Sequence, residues 1–225
     1  SSARNLLGIL NDILDFSKIE SGKLELERTV FVLRDCIEES LDLLASKASE
    51  KNLDLGYIIG DETPAGIVGD VTRLRQILMN LVSNALKFTS EGEVWVTVTS
   101  RKLEAGTHEL QFAVKDTGIG SPPEMLGGVF DLFVQVGGER NGRGGLGIGL
   151  TLARRLVELH DGRIEARSDG LGKGSEFIAY LPTEPVQEVG PSDARSESRR
   201  PRGLVRRRVL VVDDNQDAAE SLAAM

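Results

Sequence analysis

The chain has 225 residues, a formal net charge of −8, two histidines and one cysteine, and 40% of its residues are hydrophobic. The length allows one good-sized domain plus extras, and the apolar share suffices for a core, which excludes a largely disordered chain. The negative balance argues against a general nucleic-acid binder, the lone cysteine excludes an internal disulfide or a cysteine-rich zinc site, and no apolar run approaches the ~18 residues of a membrane span.

Residues 1–21 read as a helix, because Leu6, Ile9, Leu10, Ile13, Leu14 and Phe16 recur at three- and four-residue steps and Ser21-Gly22 stops the pattern. A stripe this apolar is expected to pack in a helical hairpin or dimeric bundle. From about 24 to 182 the elements alternate. Leu24, Leu26, Val30 and Val32 suggest a strand, and 33–51 an amphipathic helix in which Cys36 is a small buried hydrophobe. A strand at 53–59, a helix from Val71 to Phe88 and strands at Glu93–Arg101 and Glu109–Lys115 follow. A glycine-rich stretch with a short helix inside it fills 116–149. A helix near 149–160 and strands at 162–168 and 175–181 close the unit. The pattern predicts an α+β two-layer sandwich, a mixed β-sheet with helices on one face, preceded by one helix of a helical hairpin. Residues 183–206, rich in Pro, Ser, Glu and Arg, read as a flexible linker, and their arginines as a solvated spacer rather than a nucleic-acid or lipid contact. Residues 207–225 read as one strand, an acidic pair and a helix start, too short to bury a core alone.

Three segments carry chemistry. In the helix Val71–Phe88, Leu74, Ile77, Leu78, Leu81, Val82, Ala85 and Phe88 form one stripe, while Arg73, Gln76, Asn80, Asn84 and Lys87 form a second, polar one. Two carboxamides one turn apart, with an ammonium beyond them, suit a hard cation and the phosphates it bridges. An exposed polar face is the plain alternative, but asparagine is a poor helix former for that purpose. Asp116-Thr117-Gly118-Ile119-Gly120 sits at a strand end, where an acid can accept hydrogen bonds from a flat ligand and the glycines let backbone approach it. A simple strand-end turn is equally open for that motif alone. Gly142-Arg143-Gly144-Gly145-Leu146-Gly147-Ile148-Gly149 opens a helix and would make a phosphate cradle of backbone N–H groups. It formally fits a dinucleotide fingerprint, but a polar loop rather than a strand precedes it; no GxxxxGK[ST] occurs, so a P-loop is excluded too.

In order and spacing these segments resemble the N, G1, F and G2 boxes of the histidine kinase catalytic domain, which shares its ATP-binding fold with gyrase, MutL and heat-shock chaperone ATPases. The N box would be Arg75–Phe88, the G1 box Asp116–Gly120, the F box Val129–Gln135 and the G2 box Gly144–Leu150. The resemblance covers about 24–182. Asn11–Gly22 looks like the end of the second helix of the dimerisation and phosphoacceptor hairpin, and Val209–Asn215 like the first strand and acidic pair of a response-regulator receiver. Together they imply a hybrid sensor histidine kinase, divided into hairpin remnant 1–23, catalytic domain 24–182, linker 183–206 and receiver stub 207–225.

The resemblance implies that Asp116 accepts the adenine amino group, that Asn84 ligates Mg²⁺ with Asn80 beside it, and that Lys87 reaches phosphate oxygens. Gly118 and Gly120 would keep the adenine pocket open, while Gly145, Leu146, Gly147 and Gly149 would let the lid and helix start meet the phosphates. Arg140 and Arg143 would be further phosphate partners, and Phe130 and Phe133 would anchor the lid. Asp213 and Asp214 would belong to an incomplete receiver Mg²⁺ site. The ligands implied are ATP and Mg²⁺. The partners implied are a second copy in the full-length parent, the phosphoacceptor hairpin and a receiver in cis or in trans, with no nucleic acid. The location implied is cytoplasmic, with a parent free to carry a membrane anchor. The activity implied is ATP:protein-histidine phosphotransfer to a histidine outside this chain, since His160 falls at a helix C-terminus and His108 in a hairpin turn. In the related ATPases a glutamate one turn before the metal asparagine can activate water; here that position is Asn80, which cannot act as a base. A non-catalytic nucleotide-sensing or scaffold module is the alternative, and retention of Asn84, Lys87 and Asp116 favours the enzyme. Ser121, where the family usually has an apolar residue, and Gly127-Gly128 before the F box imply a loose lid.

Overall fold

The structure, a computed structural model, describes residue 10 and residues 13–103, 106–132 and 147–186. Helix α1 over 13–20 ends where Gly22 takes a φ of +64°, and the Gly22 and Lys23 N–H groups close the last turn on the carbonyls of Ile19 and Lys18. Strand β1 is only Thr29–Val32. Leu24 and Leu26 are half-buried in the irregular run before it, so the strand expected from 24 starts five residues late. Then come α2 (Leu33–Glu50), β2 (Asp54–Ile59), β3 (Gly66–Gly69), α3 (Val71–Phe88), β4 (Glu93–Lys102) and β5 (His108–Asp116). A one-turn α4 (Pro123–Leu126), α5 (Gly149–Leu159), β6 (Arg163–Arg167) and β7 (Glu176–Val186) complete the described order.

These strands form one mixed sheet in the order β1-β3-β7-β5-β4-β2, with β6 along the first half of β7. Only β2 and β4 run parallel, from Asp54 opposite Glu93 to Ile59 opposite Val98; the other pairs are antiparallel. Helices α2, α3 and α5 pack together and contribute one buried face each. Period-two alternation aims Val94, Val96 and Val98 of β4, and Leu110, Phe112 and Val114 of β5, into the same core as Ile77, Leu78 and Leu81 of α3. Each such side chain contributes about 1.5–3 kcal/mol by leaving water. Leu86 rather than Phe88 completes the buried stripe of α3; Phe88 is half-exposed. Cys36 is buried, and desolvation pushes its thiol up to about 11, so it behaves as the inert small hydrophobe expected.

Two elements depart from expectation. Strand β3 is a four-residue Gly-Ile-Val-Gly segment, too short to show a period. Strand β7 runs to Val186, so residues 183–186, expected as linker, belong to the sheet: Glu184 and Pro185 pair with Val68 and Ile67, and the Thr183 hydroxyl donates to the Val68 carbonyl (3.3 Å). Pro185 is tolerated because β5 ends opposite Thr183, leaving this end of β7 paired on one side. His108 is likewise no turn residue. It opens β5 opposite Lys102, buried, with Nδ1 2.7 Å from the Ser100 hydroxyl.

Candidate nucleotide site on helix α3 and the end of strand β5

Helix α3 is anchored at both ends. The buried Asp70 carboxylate caps its start, accepting from the N–H groups of Arg73 (2.9 Å) and Glu27 (3.0 Å). At the other end the Lys51 ammonium donates to the carbonyls of Leu86, Lys87 (3.2 Å) and Thr89 (3.0 Å), a cation where the helix dipole favours one. A helix so fixed presents its polar stripe in a set direction.

The structure divides that stripe. Asp15 of α1 accepts from Arg73 Nη1 and from Gln76 Nε2, both at 2.9 Å, and Arg73 Nη1 also donates to Gln76 Oε1 at 2.8 Å. The pair is largely sheltered, with Asp15 17% and Arg73 21% exposed. Ile19 packs against the core beside it, and Glu20 pairs with Arg155 of α5 at 3.2 Å. Arg73 and Gln76, the first members of that stripe, therefore hold α1.

Asn80, Asn84 and Lys87 continue the stripe with no such receiver among the described residues. Asn80 Nδ2 is buried with no hydrogen-bond partner among the described residues. Gly149, the first residue of α5, lies so close that a Cβ there would stand 3.5 Å from Asn80 Oδ1. Two residues on, the Thr151 hydroxyl is also buried and unpaired among the described residues. Lys87 lies over the Phe88 ring (4.8 Å), and desolvation alone lowers its pKa. Buried polar atoms without partners cost free energy, so Asn80 Nδ2 and the Thr151 hydroxyl near the start of α5 stand out among the described residues.

The second half of the site is built at the end of β5. Asp116 is 4% exposed, and one carboxylate oxygen accepts from the Gly118 N–H at 2.8 Å. Burial raises its pKa, partly offset by the backbone N–H groups of Gly118 and Ser175, and no cation takes part. The turn 168–175 between β6 and β7 packs backbone to backbone against this segment. Gly174 N–H donates to the Gly118 carbonyl (3.1 Å) and Gly172 N–H to that of Ile119 (2.7 Å). A Cβ on Gly118 would stand 2.4 Å from the Phe88 carbonyl, and one on Gly120 2.1 Å from that of Gly170. Those glycines are needed for close approach, with Gly118 seated against the end of α3. The sequence reading missed the turn 168–175; its signal was the repeat Gly170-x-Gly172-x-Gly174-Ser175.

Phe130 is buried edge-on to Phe177 (6.0 Å between centroids, 85° between planes), fixing the chain there against β7. Ser121, expected to loosen that region, is buried, and its N–H donates to Ser168 Oγ at 3.0 Å. Gly147 takes a φ of +70° just before α5. Phe133, Arg140, Arg143, Gly145, Leu146, Asp213 and Asp214 lie outside the described residues. His160 ends α5 with Nδ1 2.7 Å from the Leu156 carbonyl, a structural cap.

Residues 69–185, just over half of the chain, match the family of histidine kinase-, DNA gyrase B- and HSP90-like ATPases. The chain belongs to this family. It is 40% identical over 98% of its length to the sensor histidine kinase GacS of Pseudomonas protegens, and 36% identical over 97% to the signal transduction histidine-protein kinase BarA of Escherichia coli K12. It spans 23% of the length of each of these relatives. Among solved structures, full-length ShkA in complex with AMPPNP is 30% identical with a TM-score of 0.69, over 82% of this chain and 37% of that one. A nucleotide-free form of the catalytic domain of histidine kinase ThkA is 27% identical with a TM-score of 0.55, over 71% of this chain and 99% of that one. The expected sandwich, with its mixed sheet and helices on one face, is thus the fold of histidine kinase ATPase domains.

Proposed function

We propose that this chain supplies the catalytic domain of a hybrid sensor histidine kinase, which holds Mg-ATP for phosphoryl transfer to a histidine outside the chain and then to a receiver aspartate. The observation that carries the reading is the unsatisfied Asn80 Nδ2, buried where α3 meets the first residue of α5. Asp116 accepts the adenine amine; its burial makes that bond discriminating, because a carbonyl in the amine's place would face an anion. Gly118 and Gly120 keep the backbone out of the base's way. Asn84 and Asn80 offer carboxamides, and Lys87 an ammonium, to the phosphates and their metal, with Gly147 and Gly149 leading into the α5 N-terminus. No group of three or more His, Cys, Asp or Glu among the described residues could hold a metal alone, so most ligands of a magnesium ion here would be phosphate oxygens and water. Bound Mg²⁺ supplies charge neutralisation at the phosphates. Because Asn80 cannot take a proton from water, these residues position and neutralise, and the nucleophile comes from elsewhere.

In the full-length parent the same reading gives a dimer, with α1 as the end of its phosphoacceptor hairpin and residues 207–225 as the start of a receiver. No helix among the described residues is long and apolar enough to cross a membrane. Calorimetric titration of the chain with a non-hydrolysable ATP analogue, with and without Mg²⁺, tests the site. Binding is expected to need Asp116, and to tighten with Mg²⁺ only when Asn84 is present; a folded chain that binds no nucleotide overturns the reading.

A further inference from the structure

Ser168, at the end of β6, belongs to no motif of the nucleotide site, yet its hydroxyl joins three segments of it. Oγ accepts from the Ser121 N–H (3.0 Å) and from the Gly170 N–H (3.3 Å), and donates to the Gly174 carbonyl (2.7 Å). A hydroxyl has one proton and two lone pairs, so all three capacities are used. Ser121 closes the segment that begins at Asp116, while Gly170 and Gly174 belong to the facing turn. Gly174 in turn donates to the Gly118 carbonyl, and the Gly118 N–H holds the Asp116 carboxylate. An unbroken run of hydrogen bonds therefore leads from Ser168 to the acid.

We propose that Ser168 is a positioning residue for base selection: it pins the turn 168–175 to the segment 116–121, and so fixes the Asp116 carboxylate where it accepts an amine and repels a carbonyl. The inference rests on the ATP reading given above. A carboxylate free to swing aside from a guanine carbonyl would discriminate less, since selectivity against a wrong ligand comes from a repulsion the site cannot relax. Among the described residues Asp116 has no side-chain partner of its own to hold it, only the backbone groups of the two segments that Ser168 joins.

The experiment measures affinity for non-hydrolysable ATP and GTP analogues by calorimetry on the whole chain, for wild type, Ser168→Ala, Ser168→Cys and Asp116→Asn. Cysteine keeps the shape of the side chain, a little larger than serine, but hydrogen-bonds weakly, so it keeps the test valid if alanine impairs folding. Both Ser168 variants are expected to bind ATP roughly tenfold more weakly, the effect of one lost hydrogen bond, while GTP affinity changes little. The ATP-to-GTP ratio thus falls by the same factor. A merely structural role would lower both affinities together. An unchanged ratio in a folded Ser168 variant, beside a wild type that binds ATP through Asp116, overturns the assignment of Ser168 alone. A folded wild type that binds neither nucleotide overturns the ATP reading, and this inference with it.

Discussion

The two ends of the polar stripe on α3 are alike in the sequence and opposite in the structure. Arg73 and Gln76, at its start, are joined to Asp15 by a closed set of hydrogen bonds. Asn80 and Lys87, further along, have a buried amide nitrogen without a partner and an ammonium without a carboxylate among the described residues. One end of the helix uses its polar groups to hold α1, while the other leaves the Asn80 amide nitrogen unpaired among the described residues. Polarity at helical spacing marks a face; only the packing around it separates an interface from a binding site.

The sharpest way to break this comparison is to substitute at the open end. Asn84→Ala is expected to weaken Mg-dependent binding of an ATP analogue by roughly tenfold to a hundredfold, the loss of a contact to charged groups. Its thermal unfolding should stay near wild type, because the residue serves no partner described in the fold. A large drop in melting temperature with unchanged affinity would assign Asn84 to the interior instead.

The anchored end should behave the other way. Asp70→Ala removes the cap that accepts from Arg73 and Glu27, and is expected to cost about 1–2 kcal/mol in denaturant unfolding. Nucleotide affinity of the folded variant should not move. Asp15→Asn is milder, since the amide oxygen still accepts from Gln76; it is expected to cost about 0.5–1 kcal/mol. Its informative signal is local: amide hydrogens of residues 13–20 should exchange faster while those of α3 keep their protection. Unchanged exchange in α1 would mean that Ile19 and Glu20 suffice to hold it.

How much of this was legible depended on element length and on what decided each position. The 18 residues of α3 showed their apolar stripe plainly, and Asp116 at the end of β5 was found because an acid and two glycines closed a clear alternation. Four-residue β3 could not be seen, because its pairing partners lie in β1 and at the far end of β7. The Thr-Glu-Pro-Val tail of β7 read as linker because its composition is that of a linker, and a one-sided ladder places it in the sheet. The role of Arg73 depended on Asp15, 58 residues earlier, which periodicity within one helix cannot reveal. The turn 168–175 was passed over because glycines between two strands suggest only a hairpin, and its contact with Gly118 and Ile119 is tertiary.

The gentlest test of the open end uses pH, and the two charged groups give opposite signs. Burial raises the Asp116 pKa above the ordinary aspartate value, so its carboxyl takes up a proton at a higher pH than an exposed one. For folding, the raised value means the buried anion is a cost, present above the folded pKa and absent below the unfolded one. Asp116→Asn should therefore leave stability at neutral pH unchanged or slightly raised, even as it abolishes adenine selectivity. For binding, the ionised acid is the better acceptor, so ATP-analogue affinity should fall as pH drops through that raised value. Desolvation lowers the Lys87 pKa, so its ammonium is lost below the usual lysine range, and affinity should fall again as pH rises through it. The bell that results has one limb from each half of the site. Calorimetry across pH should show the alkaline limb vanish and the acid limb persist in Lys87→Met. An alkaline limb that survives this substitution would mean that another group in the site titrates there, and would detach Lys87 from the nucleotide.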